Sequence, residues 1–123
     1  MILVTGGAGY IGSHTVVELI SNGYEVLIVD SLYNSDISVL DAIEKVSGVR
    51  VAFEKIDLRD KSALLALASK YEITSVIHFA AFKAVKESKE NPLKYYENNI
   101  LGLVNILYLM KECACKQLIF SSS

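Results

Sequence analysis

Three evenly spaced glycines, Gly6-x-x-Gly9-x-x-Gly12, follow the apolar run Ile2-Leu3-Val4-Thr5 and open a segment of helical periodicity. The chemistry such a loop offers is anion binding. Glycines there permit a tight turn, close approach of backbone to a pyrophosphate and tight packing of helix on strand. The first N–H groups of the helix and its positive dipole end then hold the anion without a basic side chain. Asp30 stands 18 residues past Gly12, at the end of a second apolar run. An acid in that place can accept from both ribose hydroxyls of an adenosine. It would repel a 2′-phosphate, and no Arg or Lys occurs in Ser31-Leu32-Tyr33-Asn34-Ser35 to attract one, so the expected cofactor is NAD rather than NADP.

The other reactive side chains read more plainly. His14 follows the glycine loop and His78 lies inside an apolar run; each is expected to be a satisfied buried or capping imidazole. They stand 64 positions apart with no third ligand nearby in sequence, so no metal site is expected. Cys113 and Cys115 are expected as buried or reduced thiols pointing to different sides. Lys86 and Lys89 read as a solvated loop, and Tyr95 and Tyr96 as packing, with a dimer face as the alternative. The triplet Ser121-Ser122-Ser123 ends the last apolar run, and ligands of open α/β sheets bind outside the carboxyl ends of strands.

These groups must be positioned by alternating strands and helices. The 123 residues are 52% hydrophobic with one Pro, enough for one domain with a core of its own. Short β-branched runs, ILVT, EVLIVD, VRVAFEKID, SVIHFAA and QLIFS, alternate with helical patterns over about 10–22, 36–46, 60–71 and 92–113. That alternation predicts a parallel sheet covered on both faces, a Rossmann-like doubly wound α/β fold of about five strands. Gly12, Val16, Leu19 and Ile20 form the predicted core face of the first helix, which Asn22-Gly23 stops. Leu64, Leu67, Ala68 and Tyr71 repeat the pattern after Asp60, a predicted N-cap. Asn91-Pro92 predicts a cap and a first-turn proline for a last helix roughly 33 Å long. Its predicted core stripe is Tyr96, Ile100, Leu103, Leu107 and Met110, with a second face exposed for a partner subunit.

The composition also excludes classes of function. A net charge of −2, with no basic stripe, carries no electrostatic footprint for nucleic acid or anionic lipid. Every apolar run is shorter than the roughly 20 residues of a membrane span, so no membrane is expected. Met1 leads directly into an apparent strand without a charged leader, and the expected compartment is the cytoplasm.

The blocks TGGAGYIGSH, DSLYNS, VIHFAAFKAV, NPLKYYENN and FSSS, in this order along the whole chain, resemble the extended short-chain dehydrogenase/reductase superfamily, and most closely its UDP-glucose 4-epimerases. The resemblance implies that Gly6, Gly9, Tyr10, Ile11 and Gly12 line the pyrophosphate. It places Asp30, Asn34 and Ser35 at the adenosine ribose, and Asp57 and Leu58 at the adenine end. It also implies that Phe79, Ala80, Ala81 and Lys83 run under the cofactor, with Asn99 near the same segment. Ser121, Ser122 and Ser123 would lie near nicotinamide and sugar, Ser122 and Ser123 as substrate-binding residues, and Ser123 matches the family's catalytic serine. The chain departs from the family at Ser31, where Asn is usual, and at Ala81-Phe82, where Gly-Leu is usual. A methyl at a glycine position close to the cofactor takes up space there.

What the resemblance implies chemically is C4 epimerisation of a UDP-hexose, UDP-glucose to UDP-galactose and back, through a 4-keto sugar by hydride transfer to tightly held NAD. The family's Tyr-x-x-x-Lys and its grip on the UDP-sugar lie beyond Ser123, so residues 1–123 are expected to be the N-terminal part of an NAD-binding domain, inactive alone. The intact enzyme is expected to be a homodimer. Two other readings stay open: a nucleotide-sugar 4,6-dehydratase or related epimerase, and a short non-catalytic product that binds NAD or a partner.

Overall fold

The computed structural model describes residues 1–79 and 89–121. Five strands, β1 (Ile2–Thr5), β2 (Val26–Asp30), β3 (Ala52–Lys55), β4 (Ser75–His78) and β5 (Leu118–Phe120), form one sheet in the order β3-β2-β1-β4-β5. Every pairing is parallel, and Thr5 of β1 stands level with Val29 on one side and His78 on the other. Among the described residues the helices include α1 (Tyr10–Ser21), α2 (Ser38–Ser47), α3 (Lys61–Leu65), α4 (Leu67–Lys70) and α5 (Pro92–Glu112). The chain is a doubly wound α/β fold. Its strand order reverses between β1 and β4, which is where such sheets open a crevice at their carboxyl ends.

Strand residues alternate between two cores. Leu3, Leu27, Val29 and Val76 point to the face covered by α3, α4 and α5, where they meet Leu64, Leu67, Ile106 and Leu109. Val4, Val26, Ile28 and Ile77 point to the opposite face and meet Val16 of α1 with Leu40 and Ile43 of α2. A strand buried on both faces cannot alternate apolar with polar residues, and β2 is accordingly buried at all five positions.

The element ends differ from the sequence pattern in ways that have local causes. The Asp36 carboxylate accepts the Ser38 N–H at 2.8 Å, so α2 begins two residues later than its periodicity implies. The third strand is only four residues long because the chain turns at once, the Asp60 N–H donating to the Asp57 carbonyl at 2.9 Å. The helix expected over 60–71 is split into α3 and α4, with Ala66 keeping helical dihedrals between them. Asp60 caps it, accepting the Ala63 N–H at 3.2 Å. Asn22 and Gly23 end α1, with Gly23 at φ +86°. Asn91 stands at the N-cap of α5 without a side-chain capping bond, and Pro92 alone marks that start.

The predicted stripe of α5 is corrected by the structure. Tyr96, Ile100 and Leu107 are exposed and Leu103 is half-buried; the buried face is Gly102, Asn105, Ile106, Leu109 and Met110. The helix is apolar on nearly its whole circumference, so periodicity does not choose a face. Polar and small residues do. Asn105 is buried because its Nδ2 donates to the Leu58 carbonyl at 2.7 Å, and Gly102 leaves room for Leu58, whose Cβ would stand 3.4 Å from an added methyl.

Both imidazoles now have places. His14, expected buried or capping, is exposed on α1 with its ring edge-on to Tyr10 at 4.8 Å, because the core face of that helix is taken by Gly12 and Val16. His78 is 3% exposed at the end of β4, with its Nδ1 2.6 Å from Thr5 Oγ1 and its ring stacked on Phe120. Thr5 Oγ1 accepts the Phe79 N–H at 3.1 Å, so the pair ties the ends of β1 and β4 together. Burial pushes the His78 pKa down to about 4. Cys113 and Cys115 are unpaired thiols that pack against the same core cluster rather than on different sides, and burial pushes the Cys113 thiol up.

Two outcomes follow from these contacts. In Asn105→Ala the Leu58 carbonyl loses its donor, and chemical denaturation should show a loss of about 1–3 kcal/mol; an unchanged midpoint would contradict the pairing. Because the folded-state pKa of His78 lies below that of an unfolded histidine, the unfolded chain takes up the extra proton, and stability falls as pH drops from about 6.5 toward about 4. That imidazole accounts for roughly 3 kcal/mol of the fall. Thermal midpoints measured across this range should decline less steeply in His78→Phe than in the parent, and parallel curves would show that the buried imidazole does not carry the effect.

Candidate functional site

At the carboxyl ends of β1, β2 and β3 lies a cavity of about 350 Å³. The β1–α1 loop forms one wall. Gly6 adopts φ +70°, and its carbonyl accepts the Gly9 N–H at 3.0 Å to close the turn. At Gly12 an added Cβ would lie 2.2 Å from the Gly6 carbonyl oxygen, so only glycine lets α1 begin this close to the loop. The N-cap of α1 is Gly9, which has no side chain to cap the first turn, and that turn holds no acidic residue. The positive end of α1 is therefore presented to the cavity, whose lining includes Gly6, Gly9, Tyr10, Ile11 and Gly12.

Asp30 forms the second wall. It is 9% exposed, and its Oδ2 accepts the Ala8 N–H at 3.1 Å, which couples the glycine loop to the end of β2. Its Oδ1 accepts the Leu32 N–H at 2.8 Å and the Ser35 hydroxyl at 3.3 Å. Leu32 has φ +62°, a conformation costly for a side chain with a Cβ, and the Asp30 bond to its N–H offsets that cost. Ser31, Asn34 and Ser35 complete this wall, with the Ser31 hydroxyl accepting the Tyr33 N–H at 3.3 Å.

The far end is built by the loop after β3. Ile56, Asp57, Leu58 and Arg59 face Asn98, Asn99 and Gly102 of α5 across the cavity. Asp57 and Arg59 form an ion pair with Nη2 2.6 Å from Oδ2, and this guanidinium, together with the Arg59 backbone N–H, holds the Asp57 carboxyl below the usual carboxylate range. Phe79 closes the middle, its N–H donating to the Thr5 carbonyl at 3.0 Å.

The cavity thus brings together the glycine-loop residues, Asp30, Asn34, Ser35, Asp57, Leu58, Phe79 and Asn99. Ser121 lies elsewhere, beyond β5, where its N–H donates to the His78 carbonyl at 3.2 Å. Ala80, Ala81, Lys83, Ser122 and Ser123 lie outside the described residues. Arg59, Asn98 and Gly102 also line the cavity, although no sequence motif singles them out. A signal for two of them is present: Asn98, Gly102 and Asn105 recur at i, i+4 and i+7, small or polar residues along one line of an apolar helix. Among the described residues no three His, Cys, Asp or Glu side chains gather as a metal site. No helix of the described residues is long and apolar enough to cross a membrane.

The residues fit a dinucleotide. A cradle that an added Cβ would close, an uncapped helix N-terminus and an acid bonded to the loop are the groups that pyrophosphate and ribose require. Comparison with known proteins agrees with this geometry. The family model described as GDP-mannose 4,6 dehydratase matches residues 3–123. The chain is 53% identical over 122 residues to the bifunctional protein GAL10 of Pachysolen tannophilus, spanning 99% of this chain and 18% of that protein. It is 50% identical over 125 residues to UDP-glucose 4-epimerase 2 of Arabidopsis thaliana, spanning 99% and 36%. Among solved structures, UDP-glucose 4-epimerase from Stenotrophomonas maltophila with NAD and formylated UDP-arabinopyranose superposes with a TM-score of 0.94 at 48% identity, covering 99% of this chain and 36% of that one. The Bifidobacterium longum enzyme with NAD+ and UDP gives 0.95 at 42%, with the same coverage. The chain therefore spans about a third or less of the length of these relatives, and it belongs to the family described as GDP-mannose 4,6 dehydratase, within which it is similar to UDP-glucose 4-epimerases.

Proposed function

We propose that this chain is the NAD-binding part of an enzyme that interconverts UDP-glucose and UDP-galactose. The observation that carries the reading is the cavity itself, which the glycine loop, Asp30 and the Asp57-Leu58 pair line together. The α1 N-terminus takes the pyrophosphate. Asp30, with Asn34 and Ser35 beside it, takes the ribose hydroxyls; Asp57 and Leu58 take the adenine end. Phe79, Ala80, Ala81, Lys83 and Asn99 are assigned by the resemblance to the cofactor's path toward the sugar, and Ser121, Ser122 and Ser123 to nicotinamide and sugar, with Ser123 assigned to orient the substrate hydroxyl.

NAD supplies the hydride acceptor and donor of the reaction when bound. The proton acceptor is assigned to a Tyr-x-x-x-Lys pair outside these residues, because Tyr71, Tyr95, Tyr96 and Tyr108 each lack a Lys four positions on. Residues 1–123 are accordingly read as the N-terminal part of the domain, inactive alone. The exposed face of α5, with Leu93, Tyr96, Ile100 and Leu107, suits a homodimer of the intact enzyme. The cytoplasm is the proposed compartment, and two unpaired thiols suit it.

A second reading, a nucleotide-sugar 4,6-dehydratase, draws on the description of the matching family; identities of 50% to UDP-glucose 4-epimerases rank it lower. Isothermal titration of the chain with NAD tests the cofactor site. Binding is expected for the parent and at least about tenfold weaker binding for Asp30→Ala, without conversion of UDP-galactose in a coupled assay. Equal binding by both proteins would overturn the ribose assignment, and turnover by the chain would overturn the assignment of the proton acceptor to residues outside it.

A further inference from the structure

A second cavity, of about 410 Å³, opens beside the first at the end formed by the loop after β3. The two share Ser31, Asp57, Arg59 and Asn98, but the lining of the second includes neither Asp30 nor any residue of the glycine loop. A phosphate held there is therefore not the cofactor's pyrophosphate. The charge of this cavity is unbalanced. Lys55 at the end of β3, Arg59 in the loop that follows and Lys94 in the first turn of α5 meet a single acid, Asp57. That acid is already matched by Arg59, whose Nη2 stands 2.6 Å from its Oδ2. The surplus is the two lysines, and neither has an ion-pair partner among the described residues. Lys94 stands, in addition, where the positive end of the α5 dipole opposes a cation, and that turn holds no acidic residue to offset it. Neutral donors join them. The Ser31 hydroxyl accepts the Tyr33 N–H and keeps its own hydrogen to give; the Asn98 Oδ1 is turned to Arg59 Nη1 at 3.5 Å, which leaves its amide N–H groups as donors.

We propose that this second cavity is an anion site for an oligophosphate group, held by Lys55 and Lys94 and occupied alongside the dinucleotide rather than by it. Two ammonium groups carried by separate elements, a hydroxyl and an amide offer donors without an unmatched acceptor, and like charges gathered in one concave surface raise the local potential and concentrate anions there. The lysines reach from β3 on one side and α5 on the other, and the volume exceeds that of one phosphate, so the ligand is one with at least two linked phosphoryl groups. Lys55, Arg59 and Lys94 are far apart in the chain and become one basic surface only through the packing of α5 against the loop after β3. The site goes beyond the dinucleotide reading above, because none of the groups that single it out, Lys55 and Lys94 with the donors beside them, is assigned to NAD.

The test is titration of the 123-residue chain, saturated with NAD so that the glycine loop is filled, with inorganic pyrophosphate and with cytidine diphosphate at neutral pH and constant ionic strength, without divalent cations. The proteins are the parent, Lys55→Gln, Lys94→Gln, the double variant, and Lys45→Gln on α2, a helix that covers the opposite face of the sheet. Thermal unfolding of each establishes that it is folded. The parent should bind pyrophosphate, and binding should weaken as salt is added. Each lysine variant should bind it at least about threefold more weakly and the double variant at least about tenfold, with NAD affinity unchanged in all of them. Tighter binding of cytidine diphosphate than of pyrophosphate would support the site and assign it to the phosphate chain of a nucleotide; the reverse order would support it and assign it to a free oligophosphate. No pyrophosphate bound by the NAD-saturated parent, or Lys55→Gln and Lys94→Gln indistinguishable from Lys45→Gln, overturns the site and leaves the cofactor assignment standing. A parent that does not bind NAD overturns the cofactor assignment alone; the same lysine variants titrated without NAD then decide the anion site, loss of affinity supporting it and parity with Lys45→Gln overturning it.

Discussion

A helix can start within contact distance of a strand end only if no side chain stands between them, and here that condition is met at Gly12. Its Cα faces the Gly6 carbonyl so closely that a single methyl would have to occupy the oxygen's own space. From this contact follows the direction of α1, hence the aim of its positive end, hence the place of Ala8, whose N–H reaches the Asp30 carboxylate. Loop, helix and second strand are locked by one close approach and one charge-assisted hydrogen bond. Two buried sheet faces support the arrangement from below, leaving polar chemistry to the strand ends.

The same economy of polar groups holds at the opposite end of the cavity. Acids would ordinarily make a poor neighbourhood for a phosphate-bearing ligand. Both acids of this cavity are instead tied to donors of the chain. Asp30 is held by two backbone N–H groups and a serine hydroxyl, Asp57 by a backbone N–H and a guanidinium. Each acid also organises its own loop, so binding groups and the backbone that carries them are ordered by the same bonds. Preorganisation of this kind reduces the entropy lost when a ligand is ordered in the site.

The buried His78 and Asn105 mark the limits of the apolar core. Each is a polar side chain placed where a hydrophobic one would also fit by volume, and each is satisfied by a neighbour remote in sequence: Thr5 across the sheet for one, the Leu58 carbonyl across the interface of α5 for the other. These bonds fix the ends of β4 and the loop after β3, the two segments that approach the cavity from the sides opposite the glycine loop.

Much of this architecture is legible in the order of the residues. Glycine spacing after a strand, Asp60 ahead of a helix and Asn22-Gly23 behind one act through bonds between residues near in sequence, so local chemistry determines them, while the β-branched runs and the acid at the next strand end are legible as patterns. The face of α5 is not legible in that way, because Tyr96, Ile100 and Leu107 carry as regular an apolar period as Ile106 and Leu109. Which face is buried depends on Leu58, which is 44 positions from Gly102 and 47 from Asn105. The meeting of Arg59 with Asn98 has the same origin. The sequence by itself determined the winding of the fold and the glycine loop, since the first follows from the alternation of strand and helix patterns and the second from contacts between neighbours along the chain. Tertiary structure decided the far wall of the site, since there the partners are brought together only by the packing of a helix whose own pattern is ambiguous.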